Sequence, residues 1–243
     1  MKGDLHVHTL FSDGKNTPEE MVLTAIEKGF SYIGFSDHAP MTFDDGCAMK
    51  AEKLPEYAAE INRLKEKYKD QITIYLGLEM DSLSPLPAVE LDYRIGSVHY
   101  LEMADGHHVP IDWKIDMLKH GVDTYFGGDI YALIEAYYER IGQIVQLTGA
   151  DIIGHFDLVT IFQEREHLFD ETHPRYISAW QKAVDNILPH CKLFEINTGA
   201  ISRGYRTTPY PAPTIQAYIL EKGGKLICNS DSHNKDTLGF EAP

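Results

Sequence analysis

Short apolar runs alternate with longer amphipathic segments along the 243 residues of the chain. The short runs are bounded by Gly, Asn, Asp or Ser, which is typical of β-strands. Seven of them predict strands: GDLHVHT, SYIGFSDH, ITIYLGLEM, DYRIGSVHY, ADIIGHFD, KLFEINTG and GKLICNSDSH. The longer segments predict helices at 18–28, 54–69, 130–147, 174–188 and 213–222. Thr17 and Pro18 predict the start of the first helix, as a cap followed by proline in the first turn.

This alternation predicts the fold class. Strands that alternate with helices form parallel sheets with right-handed crossovers, either as an open doubly wound sheet or as a closed barrel. In a barrel the C-terminal ends of many strands meet around one mouth, and here nearly every predicted strand ends in a His, Asp or Glu. We therefore expect an α/β barrel, with residues 1–243 forming a single domain.

The polar strand ends are candidate metal ligands. At the period of a strand, His6 and His8 face the same side, and Asp13 lies in the loop that follows. The later strands end at or near His38, Glu79, His99, His155, Asp231 and His233. Any one of these taken singly is more often a hydrogen-bonded core residue, but their repetition favours ligands. Because imidazole and carboxylate suit zinc, iron or manganese, and nine ligands exceed the needs of one ion, we expect two to three divalent metal ions.

Charge and hydropathy limit the classes of partner that the protein can bind. The formal net charge of −15 opposes binding to nucleic acid, which requires Lys and Arg against phosphates. The chain has no apolar run near the roughly 20 residues that span a bilayer, and its N-terminus lacks the order of a signal peptide. We therefore expect a cytoplasmic protein with neither a nucleic-acid nor a membrane partner. No pattern in the sequence indicates an oligomeric state.

Seven motifs together carry a resemblance to a known family. They are DLHVHTLFSDG, FSDHAP, GLEMD, GSVHYL, GHFDL, EINTGAISRGYRTTPYP and NSDSHNKDTLG. They resemble the polymerase and histidinol phosphatase (PHP) superfamily of metal-dependent phosphoesterases, from residue 3 to about residue 239. Their order and spacing are most similar to the monofunctional histidinol-phosphatases of histidine biosynthesis. The resemblance implies a distorted seven-stranded (β/α)7 TIM-like barrel with its metal cluster at the C-terminal ends of the strands. A final helix would cover the last strand, and we expect it to be missing from this sequence.

The resemblance also assigns roles to individual residues. It implies that one ion is held by His6, His8, Glu79 and Asp231. Glu79 would bridge to a second ion, which is completed by His99 and His155. The third ion would be held by Asp13, His38 and His233. Glu79, Asp231 and His233 are also the candidate catalytic residues. Asp37 and Asp157 are expected to orient ligand histidines from behind.

Such a cluster suits the hydrolysis of a phosphate monoester. Divalent ions neutralise the phosphate oxygens and produce hydroxide near neutral pH, so we expect in-line attack of a metal-bound hydroxide on phosphorus. Arg203, and after it Arg206, are the candidate substrate-binding residues, because a guanidinium matches two phosphate oxygens. The long connection at 104–128 is a candidate lid over the organic part of the substrate, with Trp113 and Tyr125 as its walls.

Three functions fit this chemistry. The leading one is hydrolysis of L-histidinol phosphate to L-histidinol and phosphate. The second is a phosphoesterase of the same superfamily acting on another small phosphate, such as a nucleotide or phosphotyrosine. The third is a non-catalytic metal-binding or scaffolding module, against which the complete set of candidate ligands argues.

Overall fold

Seven parallel strands form the central sheet in the computed structural model, which describes residues 2–44 and 46–240. The strands of the chain are β1 (Gly3–Asp4), β2 (Tyr32–Phe35), β3 (Thr73–Asp81), β4 (Tyr93–Ser97), β5 (Tyr100–Glu102), β6 (His108–Pro110), β7 (Ile152–Ile153), β8 (Leu193–Asn197) and β9 (Lys225–Asn229). The sheet has the order β1-β2-β3-β4-β7-β8-β9, and all of its pairs are parallel. Each of the seven predicted strands overlaps one strand of this sheet.

The two edges of the sheet approach each other and nearly close a barrel. Beyond β1, the amide N of His8 donates to Ser232 O over 2.9 Å, and Ser232 N donates to His6 O over 3.1 Å. Helices connect the successive parallel strands, except that β3 and β4 are joined by a loop. The α/β barrel predicted from the sequence is confirmed.

Each of the five predicted helices begins at the residue where the apolar periodicity places it, and the described residues form further helices that were not predicted. The helices are α1 (Pro18–Glu27), α2 (Leu54–Tyr68), α3 (Ile115–Tyr125), α4 (Ile130–Ile141), α5 (Ile144–Thr148), α6 (Gln163–Glu166), α7 (Pro174–Ile187), α8 (Gly199–Ser202) and α9 (Pro213–Glu221). Thr17 caps α1 as predicted: its side chain accepts from Glu20 N, and the Glu20 carboxylate accepts from Thr17 N. None of the helices in the described part of the chain is both long and apolar enough to cross a membrane.

The single helix predicted at 130–147 is wrong, because the structure divides it into α4 and α5. The break falls at Gly142 and Gln143. Glycine is a poor helix former, and a side chain on Gly142 would stand 3.3 Å from the backbone of Ala183 in α7. The close approach of α7 thus leaves little room for a side chain at the point where the helix ends.

The long connection at 104–128 contains structure of its own that the sequence pattern does not predict. Strands β5 and β6 form an antiparallel hairpin, and α3 packs on it so closely that a Cβ on Gly121 would lie 2.4 Å from Val109. Leu118 of α3 belongs to the main apolar core. Of the two predicted lid walls, Trp113 is exposed, whereas Tyr125 packs against that core.

The interior of the barrel is filled by Tyr93. Its hydroxyl donates to Leu5 O over 2.6 Å and to Phe35 O over 3.0 Å, so the side chain crosses from β4 to the other side of the barrel. A Cβ on Gly34 or Gly77 would lie 2.5 Å from the Tyr93 side chain, and this explains glycine at both positions. The Tyr93 side chain thus separates the interior of the barrel from the polar strand ends, which form a layer of their own.

Candidate metal centre

All nine predicted ligands lie together at the C-terminal ends of the strands. Four overlapping groups bring their ligand atoms within 4.8 Å of one another: His8, Asp13, His38 and His233; His6, His8 and Asp231; His6, Glu79 and His155; and His38, Glu79 and His99. Each predicted ligand belongs to at least one group. The parallel strands therefore deliver these side chains to one mouth.

Glu79 lies at the centre of the cluster. Its Oε1 is 2.8 Å from His155 Nε2 and 3.3 Å from His99 Nε2; its Oε2 is 2.9 Å from His38 Nδ1, 3.3 Å from His6 Nε2 and 3.5 Å from His8 Nε2. Burial opposes ionisation of this carboxyl, yet the surrounding histidines hold its pKa well below its ordinary value. A single carboxylate with imidazoles on both oxygens has the geometry of a bridging ligand.

The remaining ligands form the more exposed side of the cluster. Asp13 Oδ2 is 3.3 Å from His233 Nε2 and 3.7 Å from His38 Nε2, while its Oδ1 is 3.6 Å from His8 Nδ1. His8 thus joins this group in addition to the one that the resemblance gives it. Burial, and then the neighbouring His233 and His38, lower the pKa of His8 to about 3. Its neutral ring keeps a lone pair that can bind a metal ion.

The polar atoms of the cluster fit divalent metal ions. His6 Nε2, both ring nitrogens of His8 and His155 Nδ1 are buried and have no hydrogen-bond partner within the described residues. Leaving a buried polar group unsatisfied costs about 1–3 kcal/mol, so several such groups in one place indicate a missing partner. Imidazole nitrogens and carboxylate oxygens are the ligands that zinc takes in proteins. The residues present therefore fit the metals that the sequence predicts.

Arg203 lies directly on this cluster. Its Nη2 donates to Asp231 Oδ2 over 3.0 Å, its Nη1 donates to Asp231 O over 2.9 Å, and Nη1 is 3.3 Å from His233 Nδ1. Asp231 adopts a left-handed φ of 50°, which turns its backbone carbonyl into this contact. The Arg203 side chain is 35% exposed, so the guanidinium faces both the ligands and the mouth.

Arg206 takes a different position. Its side chain is only 4% exposed. Its Nη1 donates to Thr160 Oγ1, its Nη2 donates to Thr208 Oγ1 over 3.2 Å, and the guanidinium lies 4.5 Å from the centre of the Tyr210 ring. The structure thus brings Arg203 to the candidate ligands and packs Arg206 into the fold.

The acids behind the ligands differ from those expected. Asp37 accepts from the backbone and hydroxyl groups of Thr9 and Ser12, and Asp157 accepts from Ala212 N. Neither hydrogen-bonds a ligand histidine in the part of the chain that the structure describes, so the expectation that they orient those rings is wrong.

Two other acids contact ligand histidines instead. Glu195 Oε1 is 2.7 Å from His6 Nδ1, and Asp81 Oδ2 accepts from His99 N over 2.6 Å. Asp81 lies two positions after the predicted ligand Glu79 and thus on the same face of β3, a spacing by which the sequence alone could have found it. Glu195 has no such signal, because it meets His6 across 189 positions.

Comparison with known proteins gives the family. Residues 4–199 match the protein family described as PHP domain. The chain belongs to the PHP domain family. This PHP chain is 31% identical over 252 residues to a protein of Deinococcus radiodurans named "Probable histidinol-phosphatase", covering 98% of this chain and 88% of that protein.

It is 28% identical over 263 residues to the histidinol-phosphatase of Bacillus subtilis, covering 98% of this PHP chain and 96% of that protein. A solved structure of the histidinol phosphate phosphatase of Lactococcus lactis, complexed with zinc, L-histidinol and phosphate, superposes with a TM-score of 0.73 at 24% identity. The match covers 96% of this chain and 87% of that one, and it shows that the two share a fold.

Proposed function

We propose that this chain is a metal-dependent phosphomonoesterase that hydrolyses L-histidinol phosphate to L-histidinol and phosphate. The observation that carries the proposal is the cluster of nine candidate ligands with Arg203 bound to one of them, in a PHP domain. The relatives named as histidinol-phosphatases match over nearly their whole length, which supports this substrate within the family. On the same grounds we place the reaction in histidine biosynthesis and the protein in the cytoplasm.

The nine ligands are proposed to hold two to three divalent ions, of zinc, iron or manganese. The assignment implied by the family resemblance is kept, with Glu79 bridging two ions, and His8 is added to the group of Asp13, His38 and His233 because it lies within the same cluster. Zinc is the first candidate, since the Lactococcus lactis protein was solved with it. Such ions, when bound, neutralise phosphate oxygens and lower the pKa of water.

The residues of the chain have separate tasks in this scheme. Glu79 supplies the negative charge at the centre of the imidazoles, and Asp231 orients the guanidinium of Arg203 through two contacts. Arg203 then donates to the phosphate oxygens in the bidentate manner of guanidinium groups. His233 lies between Asp13 and Arg203, on the substrate side of the cluster. Glu79, Asp231 and His233 are accordingly the proposed catalytic residues.

Residues 1–243 are proposed to act as one domain. The sheet begins with β1 and ends with β9, and these two strands come together beside the cluster. Ligands from the first strand and from the last lie in the same group. With a formal charge of −15, a small phosphorylated molecule suits this protein better than nucleic acid.

Metal removal tests the proposal. The purified full chain is dialysed against a chelator, freed of it, and assayed for phosphate release from L-histidinol phosphate before and after addition of zinc, manganese or iron(II). We expect turnover to disappear with the metal and to return with at least one of the three ions. Undiminished turnover in protein shown by elemental analysis to be metal-free would overturn the proposal.

A further inference from the structure

Glu195 is a fully buried carboxylate in the middle of β8 that the proposed reaction leaves without a task. Its Oε1 accepts from His6 Nδ1 over 2.7 Å and from Asn229 Nδ2 over 2.9 Å. Its Oε2 accepts from His155 N over 3.0 Å and from Asn197 Nδ2 over 2.9 Å. The carboxylate thus joins the ring of one candidate ligand to the backbone of another.

The contact with His6 determines which ring nitrogen carries the proton. An ionised carboxylate only accepts hydrogen bonds, so Nδ1 of His6 is the protonated nitrogen. In the neutral ring that a metal ligand requires, Nε2 is then left with its lone pair, and it points to the cluster, 3.3 Å from Glu79 Oε2 and 3.7 Å from Asp231 Oδ1. His8 differs, because neither of its ring nitrogens has a hydrogen-bond partner among the described residues.

We infer that Glu195 is a positioning residue that fixes the tautomer and orientation of His6 and holds the backbone of His155, thereby preparing the two metal sites that Glu79 bridges, one held by His6 and the other by His155. This inference rests on the proposed function, since it takes His6 and His155 as metal ligands. Carboxylates behind metal-binding histidines raise metal affinity in other proteins, and their loss costs 10–100-fold.

The hydrogen-bond partners of Glu195 determine how the isosteric substitution Glu195→Gln changes the site. In Glu195→Gln the amide must turn its oxygen to His155 N, because a backbone N–H cannot accept a hydrogen bond. Its NH₂ then faces His6 Nδ1 and Asn229 Nδ2. Asn229 cannot reverse its own amide without losing the bond from Leu5 N to its Oδ1, which is 2.9 Å long.

His6 is the partner that yields in this variant. Its Nδ1 accepts from the new amide, and the proton moves to Nε2. His6 then has no lone pair for a metal ion, although the shape of the site is unchanged.

Zinc binding tests the inference without an activity assay. Full-length wild type, Glu195→Gln and Asp157→Asn are equilibrated with buffered free zinc, and bound zinc is measured by elemental analysis. Asp157 is the matched control, because it is also a fully buried carboxylate but bonds Ala212 N rather than a histidine ring. We expect Glu195→Gln to bind one class of zinc 10–100-fold more weakly and Asp157→Asn to bind as wild type does.

The second readout is measured on the wild type, and a variant serves only to assign the signal. In zinc-loaded protein with ¹⁵N-labelled histidine, NMR is expected to show His6 with its ring proton on Nδ1, assigned by loss of the signal in His6→Ala. A ring proton on Nε2 of His6 would overturn the inference. So would zinc affinities in folded Glu195→Gln equal to those of wild type. A wild type that binds no zinc, iron or manganese would instead remove the proposed function, and this inference with it.

Discussion

The replacement Arg203→Ala tests whether Arg203 binds the phosphate of the substrate. A guanidinium has five N–H donors. In Arg203 three of them face Asp231 Oδ2, Asp231 O and His233 Nδ1. Neither Nε–H nor the second hydrogen of Nη2 has a partner within the described residues. These two donors lie along one edge of the guanidinium, which is the edge that binds two phosphate oxygens.

The expected loss follows from those two donors. A hydrogen bond to a charged group contributes about 1.5–3 kcal/mol. Taking the lower value for each, Arg203→Ala removes about 3 kcal/mol, or roughly a hundredfold in kcat/KM for L-histidinol phosphate. Arg203→Lys keeps the charge but not the two-donor edge, so it is expected to recover only part of this loss.

Steady-state phosphate release from the metal-replete variants provides the assay. Bound metal is measured on the same samples, because Arg203 also contacts Asp231, and a loss of metal would lower the rate for another reason. A kcat/KM of Arg203→Ala within threefold of wild type, at equal metal content, would refute the assignment of Arg203 to the phosphate.

Three further predictions concern the cluster and the barrel. His8→Ala should lower bound metal and turnover together, and unchanged values of both would exclude His8 as a ligand. Arg206→Ala should lower the melting temperature by about 5 °C, from roughly 2 kcal/mol of lost hydrogen bonds, with less effect on kcat/KM than Arg203→Ala. The reverse pattern would make Arg206 the substrate contact. Gly77→Ala places a Cβ 2.5 Å from the Tyr93 ring and should cost about 1–3 kcal/mol of unfolding free energy, whereas the exposed Gly46→Ala should cost little. Equal melting temperatures for these two variants would contradict the packing described for Tyr93.

The sheet and the ligand cluster could be predicted from the sequence because both follow from local pattern. Each strand is a short apolar run with a polar residue at its end, and parallel strands bring those ends together whatever lies between them. The family motifs then supplied the reaction. The position of His6, His8 and Asp13 near residue 1 is explained in the same way, since the first strand ends at the mouth of the barrel and these residues follow it.

The rest depends on contacts between distant parts of the chain, which periodicity does not report. Glu195 meets His6 across 189 positions, and Arg206 bonds Thr160 across 46, so neither role is visible locally. The break at Gly142 lies where α7 approaches, and the apolar pattern of 130–147 does not report it because the pattern continues through it. The hairpin of β5 and β6 has strands of three residues each, too short to give an alternating pattern.

The substrate preference tests the central claim most directly. With metal-replete enzyme, kcat/KM for phosphate release is measured for L-histidinol phosphate, a nucleoside monophosphate and phosphotyrosine under the same conditions. The account predicts a preference for L-histidinol phosphate of about a hundredfold, which corresponds to roughly 3 kcal/mol of transition-state discrimination. Similar values for all three substrates, or a higher value for one of the other two, would contradict it.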